Sequence, residues 1–178
     1  MDSGVDTIEH ASLLDEASAT RMAEKGLYLV PTLLGAYFKQ QGEADELLKK
    51  RMEQLRKMGV NVPSPEERIA LAKRCGVKIL VGTDCGGNTA ALFGSHGIEL
   101  YMLAKSGLSN MEAIVAATGG AAEAMGLSEE VGIVRPGFAA DLLVVDGNPL
   151  EDISVLAPFN SQVETVIKDG QIVHSRGE

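Results

Sequence analysis

The chain has 178 residues, 45% of them hydrophobic and 23% charged, with no tryptophan. That is an ordinary globular supply whose core must be aliphatic. A formal charge of −9 argues against a nucleic-acid binder, which needs a basic face for phosphates, and against docking on anionic lipid. The only cysteines, Cys75 and Cys85, form no CxxC motif, so neither a disulfide framework nor a redox motif is indicated. No apolar run approaches transmembrane length. The compartment stays open, with the cytoplasm the favoured expectation.

In chain order, residues 5–10 form a short strand that ends in His10. Asp15 can cap a short, thinly apolar helix that runs to Lys25 and stops at Gly26. Residues 27–33 form an apolar strand that should end or bend near Pro31, which lacks a ladder donor. The charge-rich stretch 35–59 places Leu47, Leu48, Met52, Leu55 and Met58 near helical spacing. It predicts an amphipathic helical excursion, either a lid or a solvated helix, with i,i+4 pairs Glu46–Lys50 and Glu53–Lys57. Ser64-Pro65-Glu66-Glu67 is a strong helix start, and that helix runs to about Cys75 before Gly76.

Residues 77–84 (Val-Lys-Ile-Leu-Val-Gly-Thr-Asp) read as a buried strand ending on a carboxylate. Strands alternating with helices imply parallel pairing through right-handed crossovers. In such sheets the residue beyond a strand's C-terminal end faces the active-site mouth. His10 and Asp84 are therefore candidate metal-type ligands at two strand ends. An aspartate there also serves as a helix cap or turn former, so position alone leaves both roles open. The Gly-rich loop 85–97 lacks a Walker lysine pattern and a GxGxxG, and its His96 could face the same mouth or the surface.

Residues 97–106 predict a helix, Ser109-Asn110-Met111-Glu112 a capping box opening a second, and residues 120–125 a third. Beyond Leu127 the pattern changes to period-2 strands and turns. Residues 131–134 read as a strand before an Arg135-Pro136-Gly137 turn, and residues 140–145 as another strand. Residues 163–168 and 171–174 read as a hairpin around Asp169-Gly170, with a type I′ signal and His174 at the rim. The expected division is an α/β part over residues 1–126 and a small β-module over 127–178. Three parallel strands cannot close a barrel, and two ligands are too few for a catalytic metal. The expectation is the back end of something larger.

Ile8-Glu9-His10-Ala11, then Leu29-Val30-Pro31-Thr32-Leu33, then residues 76–84 occur in the order found in metal-dependent amidohydrolases. The run from Gly132 to Leu150, with its Arg135-Pro136-Gly137-Phe138-Ala139-Ala140-Asp141 centre, resembles that family's tail signature. The chain resembles the C-terminal portion of the imidazolonepropionase-like and prolidase-like branch. The resemblance implies an α/β fold: a partial (β/α)8 barrel, its last three strands and their helices, plus a small C-terminal β-sandwich module. It implies that His10 is a metal ligand, that Asp84 is both ligand and catalytic proton shuttle, and that His96 contacts substrate. It implies one or two Zn²⁺ ions completed by ligands absent from this chain. The implied reaction is hydrolysis of the C–N bond of a dipeptide or N-acyl amino acid by metal-activated water. The family's His-x-His pair, bridging lysine or glutamate, and further histidine have no counterpart here. The expected partners are therefore a small amide or dipeptide substrate and either the missing N-terminal barrel half or a second copy of the chain. The alternative is a non-catalytic scaffold or a truncated fragment of the same fold.

Overall fold

A computed structural model describes residues 3–35, 46–85, 94–158 and 161–177. Three short strands, β1 (Thr7–Glu9), β2 (Tyr28–Val30) and β3 (Lys78–Ile79), form a parallel sheet in that order. Ile8 lies beside Leu29, and Leu29 beside Ile79. Helix α1 (Glu16–Glu24) makes the crossover from β1 to β2. Helices α2 (Glu46–Lys57) and α3 (Pro65–Cys75) lie between β2 and β3.

The caps follow from local chemistry. Asp15 accepts a hydrogen bond from the Ser18 N–H at 2.7 Å, satisfying one orphan donor of α1. At α3 the Ser64 hydroxyl accepts from the Glu67 N–H while Glu67 accepts from the Ser64 N–H, a reciprocal box. Gly76, at φ 79°, ends α3 in the left-handed conformation that a side chain would disfavour. In α2 the expected Glu53–Lys57 pair forms at 2.8 Å. The Glu46–Lys50 pair and residues 36–45 and 86–93 lie outside the described residues.

Leu29 is 1% exposed because apolar clusters cover the sheet. One joins Leu14, Ala19, Met22, Ala72 and Val77 from α1, α3 and the strand ends. The other joins Leu33, Leu34, Ile69, Met102 and Leu103. Burial on both faces is what an apolar parallel strand requires.

The helices α4 (His96–Lys105), α5 (Asn110–Ala117) and α6 (Gly119–Ala124) follow. Ser109 and Glu112 form the expected box. The Ser109 N–H, together with Lys73, holds the Glu112 carboxyl down at about 2. That contribution is present above the ordinary carboxylate range and is lost as pH falls toward 2. Among the described residues, no helix is long and apolar enough to cross a membrane.

Strands β4 (Leu142–Val145), β5 (Val163–Lys168) and β6 (Gln171–Ser175) form an antiparallel sheet. Asp169 and Gly170, at φ 49° and 75°, make the hairpin turn with the two positive values a type I′ turn needs. The Asp141 carboxylate accepts from the Asp169 N–H at 2.7 Å and pairs with Lys168.

Three expectations need correction. Residues 131–134 are not a strand. Gly132 turns left-handed, at φ 93°, and packs so closely on α6 that a Cβ there would lie 2.8 Å from the Ala122 Cβ. The segment docks through the close approach of Gly132 to α6, while Ile133 and Val134 remain exposed. The strand expected over residues 77–84 pairs only at its start: Leu80 N–H still reaches the Leu29 carbonyl, but Val81 N–H turns to the Ala116 carbonyl at 3.1 Å. His96 opens α4 as its first helical residue and is not part of a loop. Among the described residues there is neither a closed barrel nor a two-layer sandwich.

The C-terminal segment returns to the α/β part through a single 3₁₀ turn, Ile153–Leu156, whose following residue, Ala157, joins the Leu33 cluster. Gly97 of α4 faces that turn, and a Cβ on Gly97 would overlap the Leu156 carbonyl oxygen. Because the obstacle is backbone, no side chain can yield. Gly97→Ala should lower stability by about 2–3 kcal/mol and loosen amide protection at residues 153–157, read by thermal melting and hydrogen exchange. Unchanged protection would show that this contact does not hold the segment.

Candidate metal centre at the strand ends

The parallel register carries the residue after each strand to one rim of the sheet. His10 follows β1, Thr32 lies two residues past β2, and Asp84 ends the run that leaves β3. All three adopt left-handed backbone, at φ 61°, 50° and 51°. Such values are uncommon for any residue with a Cβ and are outliers for a β-branched one. Strain of this kind gathers where a chain must aim a side chain.

His10 and Asp84 are brought together across the intervening strand. His10 Nε2 and Asp84 Oδ2 are 3.9 Å apart, with side chains 55% and 72% exposed. At that exposure the pair contributes little stability; its interest is the convergence of two donors on open space. His10 Nδ1 lies 2.5 Å from the Thr32 hydroxyl, and that hydroxyl donates its single proton to the Pro31 carbonyl at 2.8 Å. The hydroxyl therefore accepts from Nδ1–H. With the Thr32 hydroxyl directed to the Pro31 carbonyl, Nδ1 is the nitrogen that faces Thr32 and Nε2 the one that faces Asp84. A neutral imidazole oriented through its other nitrogen is the usual form of a metal-binding histidine. Two side chains of metal-binding type converge here, and among the described residues no group of three such ligands occurs. A catalytic centre commonly draws three ligands from protein.

Two buried charges lie beneath this rim. Arg68 of α3 donates to the His10 carbonyl at 2.6 Å. Glu99 of α4, 0% exposed, accepts from the Leu33 and Leu34 N–H groups at 2.7 Å each. Burial pushes the Glu99 carboxyl up to about 7; the two N–H bonds and the Arg68 charge oppose that rise. Burial likewise lowers Arg68 from its ordinary range. His96 sits exposed at the start of α4 and, among the described contacts, has none with His10 or Asp84. His174 lies exposed on β6.

Residues 1–173 match the amidohydrolase family. The chain belongs to that family. It is 33% identical to the ochratoxinase of Aspergillus niger over 180 residues, covering 98% of this chain and 35% of that protein. It is 30% identical to the imidazolonepropionase of Geobacillus kaustophilus over 148 residues, covering 76% of this chain and 35% of that one. A solved Xaa-Pro dipeptidase with methionine bound in its active site superposes with a TM-score of 0.78 at 34% identity, over 98% of this chain and 41% of that chain. This amidohydrolase chain therefore spans about a third of the length of the curated relatives it matches.

Sequence reasoning missed Glu99, Arg68 and Thr32. Glu99 did leave a trace, as the single acid within Ile98 to Leu103 of an otherwise apolar helix. Arg68 looks like any other charge of α3, and nothing local marks Thr32.

The raised Glu99 carboxyl has a consequence for stability in this amidohydrolase chain. The folded chain binds this proton more tightly than the unfolded chain, whose carboxyl keeps its ordinary value. The contribution is full below the ordinary range and is lost as pH rises through about 7. Relative to Glu99→Gln, the wild type should lose roughly 2–3 kcal/mol between pH 5 and pH 8, measured by urea denaturation. Parallel curves for the two proteins would rule this out.

Proposed function

We propose that this chain supplies the His10 and Asp84 side of a metal-dependent amidohydrolase that cuts C–N bonds in dipeptides or N-acyl amino acids. The observation that carries the reading is the convergence of the His10 Nε2 and an Asp84 carboxylate oxygen at 3.9 Å on the rim of the parallel sheet. The prolidase, dipeptidase and ochratoxinase names among similar proteins support an amide substrate. His10 Nε2 and Asp84 Oδ2 would hold the cation, zinc in this reading, with further ligands from outside these residues. Bound there, a divalent cation lowers the pKa of water and polarises a carbonyl. Asp84 takes a proton from the attacking water and returns it to the leaving nitrogen. Its side chain is 72% exposed at the rim. His96 would approach the substrate from the start of α4. Residues 1–126 would form the last part of a barrel and residues 127–178 the small β-module beside it. The remaining barrel strands, or a second copy, would cover the open edges.

A second reading, a scaffold without catalysis, is favoured by the donor count, since the described residues offer two converging ligands and not three. Assay of the full-length protein on Xaa-Pro dipeptides and N-acyl amino acids separates the two. Asp84→Asn should lower kcat about 10²- to 10⁴-fold while leaving the fold intact. A chelator should abolish turnover and added zinc restore it. Turnover indifferent to both Asp84→Asn and chelation would remove this mechanism, and no turnover on any amide would favour the scaffold.

A further inference from the structure

We propose that Glu99 and Arg68 are positioning residues for His10: together they hold the backbone on both sides of the Nδ1–H···Thr32 bond and so aim Nε2 at the cation site. The proposal rests on the reading of His10 as a metal ligand.

The argument starts from strain. His10 and Thr32 face each other through the 2.5 Å Nδ1–Oγ1 contact, and both are non-glycine residues in left-handed backbone. Each such residue is strained and persists only where its surroundings over-determine it. At each, a buried charged side chain grips the adjoining backbone. Arg68 holds the carbonyl of His10 itself. Glu99 holds the two N–H groups immediately after Thr32.

The cost of those grips is also informative. Glu99 lies among Ile98, Leu100, Met102 and Leu103, where a leucine would suit the core. A carboxylate in such surroundings is unfavourable unless its bonds return something. What they return is two satisfied N–H groups at the point where the chain leaves β2 and turns into the rim. A leucine at 99 would orphan both and leave Thr32 free to relax to an ordinary conformation. The hydroxyl would then swing from Nδ1. The imidazole would lose the partner that selects its tautomer, and with it the lone pair on Nε2.

The test reads the ring directly. The full-length protein is labelled with ¹⁵N-histidine, and the His10 signals are assigned by their loss in His10→Asn. In wild type without metal, His10 should show one tautomer, protonated at Nδ1. Glu99→Gln keeps the shape but turns an NH₂ donor toward one of the two N–H groups. It should convert His10 to a mixture of tautomers and weaken zinc binding about 10- to 100-fold. The core variant Leu103→Ala should lose stability and leave the His10 tautomer and zinc affinity as in wild type. If Glu99→Gln fails to fold, Glu99→Asp, which keeps the charge and withdraws it by one methylene, is read in the same way. A folded Glu99 variant with the wild-type tautomer and zinc affinity overturns the proposal, as does a Leu103→Ala that shifts the ring equally. Wild-type His10 signals that do not move on adding zinc would sink the metal reading, whereas the tautomer comparison would still decide the positioning role.

Discussion

The register of three parallel strands governs the rest of the molecule. Pairing Thr7 with Tyr28 and Tyr28 with Lys78 brings the strand ends level. Everything chemical at the rim follows from where the chain goes next. It goes into left-handed backbone each time, at His10, Thr32 and Asp84. A residue in that conformation turns the chain sharply and sends its side chain across the rim. The local cost is met by the packing beneath.

Among the described residues, two charged side chains are buried in that packing. Arg68 and Glu99 are the charged groups driven into it, and each ends on backbone close to a strand end. Buried polar groups fully supplied with partners make a core specific, whereas partly supplied ones weaken it. Glu99 uses both carboxylate oxygens. Arg68 leaves its Nε without a hydrogen-bond partner among the described residues. The two helices that carry these charges, α3 and α4, also frame the Leu33 cluster through Ile69 and Leu103. Core and rim thus share these two helices, but the bonds that reach the rim backbone come from Arg68 and Glu99 themselves.

The outer edge of β3 shows how an unpaired strand can be managed. Lys78 pairs with Glu123 at 2.6 Å and lies over the Tyr28 ring. Beside it, a groove of about 390 Å³ is lined by Val77, Leu80, Met111 and Val115. A lysine on a strand edge discourages random strand addition, while the apolar groove can still take a specific neighbour. The antiparallel sheet presents the same mixture, with Leu143, Val144, Ile172 and Val173 exposed beside the Lys168–Asp141 and Arg176–Glu164 pairs.

What the sequence by itself determined is whatever a few neighbouring residues decide. Asp15, Ser64 and Ser109 each satisfy donors within three residues, so the helix starts were legible. The Asp169-Gly170 turn and the end of β2 at Val30 before Pro31 were legible for the same reason. The position of His10 directly after β1 could also be read; Asp84 closes an apolar run as expected, but β3 itself ends five residues earlier, at Ile79. Their 3.9 Å approach could not, since it depends on parallel pairing through a strand between them. Nor could the contact of His10 Nδ1 with a hydroxyl 22 residues away. The apparent strand at 131–134 misled because a short apolar run reads as a strand whether or not it finds a ladder partner; here Gly132 turns left-handed against α6 and Val134 is left exposed. Glu99 acquires its partners across 65 and 66 residues, and only the folded chain brings a lone acid on an apolar helix to the two N–H groups that need it.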